Sequence, residues 1–269
     1  MSAYHTSRPI MQPLLHIDAR RIFRCLVIAI LLMSFLSFAM TLASQLYDPL
    51  LDSPVFSKIV RVLDIDQERS LPTAYSSLAL FGCAVLLALI ACVPGLSERR
   101  SVRSWQSLSI IFTYLSLDEL LSFHEGLIEP IREATGASGL FHFSWIVVAI
   151  PCVIAFVAVF FKFWLRLPQQ IKRLFLSAMI VFVGGALGLE MINGYYYEHA
   201  GNDIFYRFLQ HIEELMEMIG IAVFFYALLN YISSQGKRIE LVFNVVGFAP
   251  DEGHRNFEAE LVSKRSKPL

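Results

Sequence analysis

Six apolar runs, each close to the ~20 residues that cross the hydrocarbon of a bilayer, dominate this sequence. They are Ile22–Ser44, Ser76–Pro94, Trp105–Phe123, Phe143–Leu165, Leu174–Tyr195 and Phe208–Ser233. In lipid every backbone N–H and C=O must pair within the chain, so each run is expected as a helix. Composition points the same way. Hydrophobic residues make up 56% and charged residues only 17%, against about 25% charged in a soluble domain. The formal net charge of −1 offers no basic excess for nucleic acid. The expected fold is all-α: a polytopic bundle of about six transmembrane helices. A segment 1–21 precedes the bundle at 22–234, and a tail 235–269 follows it.

Arginine and lysine near the span ends set the orientation. Arg20, Arg21 and Arg24 precede span one, and Arg99, Arg100 and Arg103 separate spans two and three. Lys162, Arg166, Lys172 and Arg173 separate spans four and five, and Lys237 and Arg238 follow span six. These alternate ends belong on the cytoplasmic side, with both termini. Span one resembles a signal peptide at first sight, with Ala43-Ser44 as a cleavage site. Its length exceeds the 7–15 residues of a signal core, so a retained span is expected. The outer loop 45–75 carries the helical apolar spacing Val55 to Leu63, suited to lying along the interface. Pro72 suits the first turn of span two. Tyr195-Tyr196-Tyr197, Trp105 and Trp164 read as interfacial aromatic belts. The four cysteines, Cys25, Cys83, Cys92 and Cys152, show no metal-ligand spacing and read as small packing residues.

Ionisable groups inside spans are expensive and mark candidate sites. Here they gather at one level. Span three ends outward through Asp118, Glu119, Ser122, His124 and Glu125. Span four starts near His142. Span five places Glu190 and Asn193 near its outer end, and span six begins with His211, Glu213, Glu214 and Glu217. At 100° per residue, His211, Glu214 and Glu217 form a band about 120° wide, with Glu213 about 40° beyond. Asp118, Ser122 and Glu125 share a stripe, while His124 lies about 120° from Asp118. A straight helix would keep His124 from that stripe, so either His124 faces another neighbour or the helix distorts near Gly126. Gly184 and Gly188 form a GxxxG face that would admit a neighbouring helix beside Glu190. Glu129 and Glu133 are expected in water.

Crowded carboxylates in low dielectric must take protons or a cation. Carboxylates mixed with imidazoles suit iron, zinc or manganese. The expected ligands of a divalent metal are Asp118, His124, Glu125, Glu190, His211, Glu214 and Glu217. Glu119 and Glu213 are the spare acids expected to move protons in catalysis.

Three resemblances bear on this cluster. Glu190 and His211-x-x-Glu214 resemble pieces of the di-iron carboxylate bundles, whose Glu-x-x-His motif is here reversed. His124, His142, His211, Ser116 and Asp118 resemble the inventory of the alkaline ceramidase and adiponectin-receptor hydrolases. That superfamily's HxxxH is missing, and the span count is six rather than seven. That resemblance implies zinc-dependent hydrolysis within a membrane. The motifs Asp118-Glu119 to His124-Glu125 and Glu213-Glu214 to Glu217 are also similar to uncharacterised bacterial inner-membrane proteins, which implies that location. The functional expectation is an intramembrane metal-dependent hydrolase or oxidase acting on a lipid or lipid-linked substrate. The alternatives are a proton- or cation-coupled transporter, and a haem-binding or structural membrane protein.

Overall fold

The computed structural model describes residues 18–46, 53–65 and 70–235. Expectations for Lys237, Arg238, the tail beyond them and part of the outer loop, Asp48 and Glu68 included, fall outside these residues. The described residues form helices and turns, with no strand among them. In order they are α1 (Ala19–Leu46), α2 (Pro54–Leu63), α3 (Leu71–Cys92), α4 (Val102–Leu121), α5 (Ile128–Thr135), α6 (Ile146–Arg166), α7 (Gln169–Val183), α8 (Glu190–Ala200) and α9 (Ile204–Ser234). A π-helical turn, Gly184–Leu189, joins α7 to α8.

Five helical segments are long and apolar enough to cross a membrane: Ala19–Gln45, Leu71–Cys92, Ile146–Arg166, Gln169–Ala200 and Ile204–Ser234. The expected third span forms as the 20-residue α4 but falls short on hydropathy, because Arg103, Asp118 and Glu119 dilute it. Serines tie it to α3. Ser77 Oγ donates to the Ser116 carbonyl at 2.8 Å, and Ser116 Oγ returns the bond to the Ser77 carbonyl at 2.9 Å. One helical turn pair further along, Ser109 Oγ donates to the Ala84 carbonyl at 2.8 Å. Such small polar residues let helix backbones approach and hydrogen-bond across the gap.

Local chemistry explains the helix starts. Ser53 caps α2 by accepting from the Phe56 N–H, and Ser70 caps α3 by accepting from the Thr73 N–H. Pro72 occupies the first turn of α3, as its missing N–H favours. Helix α2 buries none of its residues and leaves Val55, Ile59 and Val62 exposed, as the spacing in that loop predicts.

Helix α9 is the axis of the bundle. It touches α1, α3, α7, the π turn and α8. At its C-terminal end Trp105, fully buried, meets Phe163 and Tyr231 at ring-centroid distances of 4.8 Å each. The interfacial role expected for Trp105 is therefore corrected: this tryptophan fills the bundle core. Trp105 also lines a cleft with Glu98, Arg166 and Tyr231, which brings the two arginine-rich loops and the end of α9 to one end of the bundle.

The packing of α9 on the fifth apolar segment depends on three glycines. A Cβ at Gly220 would meet Phe182 backbone atoms at 2.8 Å and 2.9 Å. A Cβ at Gly185 would meet the Glu213 carbonyl oxygen at 2.9 Å and Glu217 Cγ at 3.1 Å, and one at Gly184 would meet Met216 Cε at 3.2 Å. Gly188 has nothing within 4 Å. The expected Gly184/Gly188 face is thus corrected to Gly184 and Gly185. The π turn carries an extra residue and rotates Gly188 away from the contact. Gly185→Ala and Gly220→Ala should each cost about 1–3 kcal/mol through overpacking, while Gly188→Ala should not. Thermal unfolding of the detergent-purified variants checks this; equal midpoints for G185A and G188A would contradict the packing.

Candidate functional site

The acids meet at the end of the bundle opposite the arginine-rich loops. The first component is local. Helix α4 stops at Leu121 because Ser122 takes a left-handed conformation, φ 51°, while its N–H bonds the Asp118 carbonyl at 2.6 Å. The chain turns back over its own last turn. Asp118 then accepts twice from residue 124: Oδ1 from the backbone N–H at 3.0 Å, and Oδ2 from ring Nδ1 at 2.9 Å. Of the two alternatives that helix arithmetic left open, the helix distorts, and it does so at Ser122, four residues before Gly126. Asp118 and His124 form a carboxylate–imidazole pair, with Nδ1–H directed at the carboxylate and Nε2 showing no protein partner among the described residues. Burial would hold this imidazole down. The hydrogen bond and charge of Asp118 outweigh it, aided by Glu190 and Glu125, and hold it above the ordinary histidine range.

Helix α6 contributes Trp145 at its N-terminus. The indole Nε1–H donates to Glu190 Oε1 at 2.8 Å, and the same indole lies 4.8 Å from the His124 ring. Glu190 follows directly on the π turn, the kind of helical irregularity found often at functional sites. One turn later Asn193, with no exposed surface, donates from Nδ2 to Glu213 Oε2 on α9. Asn193 Oδ1 is buried and has no hydrogen-bond partner among the described residues.

Helix α9 supplies the deepest acid. Glu217 lies about 20 Å along the helix from Ile204, at 1.5 Å per residue. It stands within electrostatic reach of Glu119, Glu213 and Glu190. Glu119 in turn feels His124 and Asp118. Asp118, Glu119, His124, Glu190, Glu213 and Glu217 therefore form one connected group drawn from α4 and its turn, α8 and α9. No lysine or arginine figures among the electrostatic partners of Glu119, His124, Glu190 or Glu217. The fixed donors are neutral: an indole and an amide.

Other expected residues lie elsewhere. His211 is buried toward α1 rather than toward the acids. Its Nδ1 donates to the Arg207 carbonyl at 2.7 Å, and its Nε2 pairs with Ser37 Oγ at 3.1 Å. Ser37 Oγ also accepts the Ile65 N–H at 2.9 Å. A neutral imidazole satisfies all of these bonds, so His211 ties α9 to α1 and to the segment after α2. Glu125 is exposed on a short turn. Glu214 is partly buried on α9. Glu129 is exposed and pairs with Arg132 at 2.6 Å, as expected for an acid in water. His142 sits on the outer rim beside Tyr197 and Glu198. Among the described residues no three His, Cys, Asp or Glu side chains converge as a ready metal cage. Trp145 is the contributor that residue-by-residue reading missed. Its signal was an indole opening an apolar run, where an N–H needs a partner.

The family model described as "Domain of unknown function (DUF8692)" matches residues 19–231. No curated protein and no solved structure matches the chain.

Two outcomes test this geometry. His124 has a raised folded-state value, so its pairing with Asp118 stabilises fully below the ordinary histidine value of about 6.5. That contribution is lost as pH rises through the higher folded value. Asp118→Asn should lower the His124 titration midpoint, read by NMR of labelled imidazole; an unmoved midpoint would refute the pairing. Ser37→Ala should destabilise the fold by about 1–3 kcal/mol by orphaning the Ile65 N–H. It should leave the His124 titration in place, because His211 and His124 belong to separate networks.

Proposed function

We propose that this chain, which belongs to the DUF8692 family, is a six-span protein of a bacterial inner membrane. In this reading it holds a proton-exchanging carboxylate–imidazole centre in the outer half of the bilayer. The centre performs acid–base chemistry on a lipid or lipid-linked substrate arriving at headgroup level. Helix α4 serves as the third of the six spans, and the lysine- and arginine-rich loops face the cytoplasm with both termini.

One observation carries the reading: Glu119, Glu190 and Glu217 lie in one connected group, and no lysine or arginine figures among their electrostatic partners. Such acids must share protons or take a cation. Asp118–His124 is the natural acceptor, because its carboxylate fixes the ring while the outer nitrogen stays open, the arrangement of a general base. Glu190 and Glu119 stand next to it as proton donors and relays. Glu217 and the Asn193–Glu213 pair extend the group toward the middle of α9.

A second reading has an observation of its own. His124 Nε2, Glu119 and Glu190 offer nitrogen and oxygen donors that suit iron, zinc or manganese. These side chains do not stand together as a cage, so metal binding would require them to turn inward. Proton-coupled transport uses the same acids but needs a continuation, and the inner half of α9, from Phe224 to Tyr231, carries none.

Infrared difference spectra between acidic and alkaline buffer test the centre in detergent-purified protein. Wild type should show protonated carboxyl signals that Glu217→Gln and Glu190→Gln each diminish and that Glu129→Gln leaves unchanged. Identical spectra for all three variants would overturn the proposal. Elemental analysis separates the metal reading: near-stoichiometric metal lost in E190Q supports it. Proton flux in liposomes would favour transport over acid–base chemistry on lipid.

A further inference from the structure

The cleft at the arginine-rich end of the bundle is walled by the turn before α4, the loop between α6 and α7, and the last turn of α9. It holds about 240 Å3, room for about eight waters or one small polar headgroup. Its floor is Trp105, with no exposed surface, whose indole Nε1–H has no hydrogen-bond partner among the described residues. A buried indole N–H ordinarily finds one. The side chain of Tyr231, buried as well, lies close enough for its hydroxyl to feel the indole, yet no hydrogen bond joins them. The same hydroxyl also feels the Glu98 carboxylate, which lines the mouth. Indole, phenol and carboxylate follow one another from floor to mouth, which puts the N–H on the cleft side of its ring.

Most groups around that N–H call for an anion. The indole only donates. Ser101, also buried, stands at the N-cap of α4 and makes no side-chain cap bond. The helix dipole and the first-turn N–H groups favour negative charge there. Arg166, in the last turn of α6, adds a guanidinium and makes no ion pair among the described residues. Glu98 is the exception. It is exposed, it too makes no ion pair among the described residues, and it would repel a simple anion. A ligand carrying a phosphate and an ammonium satisfies both signs. Phe161 and Leu165, one turn apart and exposed on α6, form an apolar stripe that leads from this end into the membrane-crossing segment, a path for acyl chains.

We propose that this cleft binds the headgroup of an ethanolamine phospholipid, with its phosphate between Arg166 and the Trp105–Tyr231 floor and its ammonium on Glu98. Pockets with basic residues between membrane helices hold lipid headgroups by the same chemistry. The site lies at the end of the bundle away from the acid cluster, shares no residue with it and stands without the acid–base reading.

The test uses the full chain, delipidated in detergent and titrated with phosphatidylethanolamine, with phosphatidylglycerol and phosphatidylcholine of the same acyl chains, and with free O-phosphoethanolamine. Native mass spectrometry counts bound lipid, and the thermal midpoint gives a second readout. Wild type should bind phosphatidylethanolamine saturably and prefer it to the other two lipids, because glycerol lacks the ammonium and choline has no N–H for Glu98. Arg166→Gln should weaken that binding about tenfold or more, the loss of one charge-assisted hydrogen bond. Glu98→Gln should keep lipid binding but erase the preference for ethanolamine over glycerol. Both side chains are exposed, so neither variant endangers the fold. Equal binding of all three lipids to wild type, or undiminished binding in R166Q, would overturn the site. An E98Q protein that still prefers ethanolamine would overturn the zwitterion assignment. Free O-phosphoethanolamine binding as tightly as the lipid would overturn the lipid source. No saturable binding of any probe would leave water as the partner of the indole and sink the proposal.

Discussion

Helix α9 can reach the fifth apolar segment only where that segment and α9 itself lack side chains. Gly185 on one side and Gly220 on the other bring backbone close to backbone, and Gly184 admits the Met216 side chain. The π turn at Gly184–Leu189 makes the contact possible by moving Gly185, rather than Gly188, into the interface. The same rotation sets the phase of everything that follows on α8. Glu190 is turned to Trp145, and Asn193, almost one helical turn later, is turned to Glu213. A regular α-helix through this region would shift both residues by about 100°. The polar cluster is thus a consequence of a packing irregularity.

Charge then decides what the cluster can be. A buried ion pair would neutralise these acids at a desolvation cost, but the donors supplied are uncharged. Trp145 and Asn193 orient two carboxylates without cancelling them. The imidazole of His124 is the nearby basic group, and Asp118 already holds it. A group built this way changes its proton count with little change in its framework, because the framework bonds come from neutral donors and backbone. That property suits proton exchange better than rigid structural pairing.

Much of the fold was legible from period and composition. The apolar runs mark their helices to within a few residues, Pro72 opens α3, and the spacing in the outer loop gives α2. The level at which the acids meet was legible too, since it follows from span depth alone. What the sequence hid were local departures from ideal helices. The left-handed Ser122 brings His124 back onto Asp118, a pairing that 100° arithmetic forbids. The π turn changes which glycine is the contact. His211 shares α9 with Glu217 but turns to Ser37, because a hydroxyl on α1 and the Arg207 carbonyl satisfy both of its nitrogens. Helix arithmetic places residues on a face; it does not reveal which neighbour the face meets.

The two ends of the bundle differ in a way that bears on access. Toward the arginine-rich loops the core is aromatic: Trp105, Phe163, Phe175 and Tyr231 interlock, and Phe112 stacks on Phe224 at 4.5 Å. Such a plug offers few groups to carry a proton inward. At the other end α4 stops short, α5 folds across, and the acids begin within a turn of the loops. Any proton or substrate exchanged with the centre therefore has its shortest route through that end. The asymmetry matches a centre that works against one side of the membrane, with α9 as its floor and the turn at Ser122 as its rim.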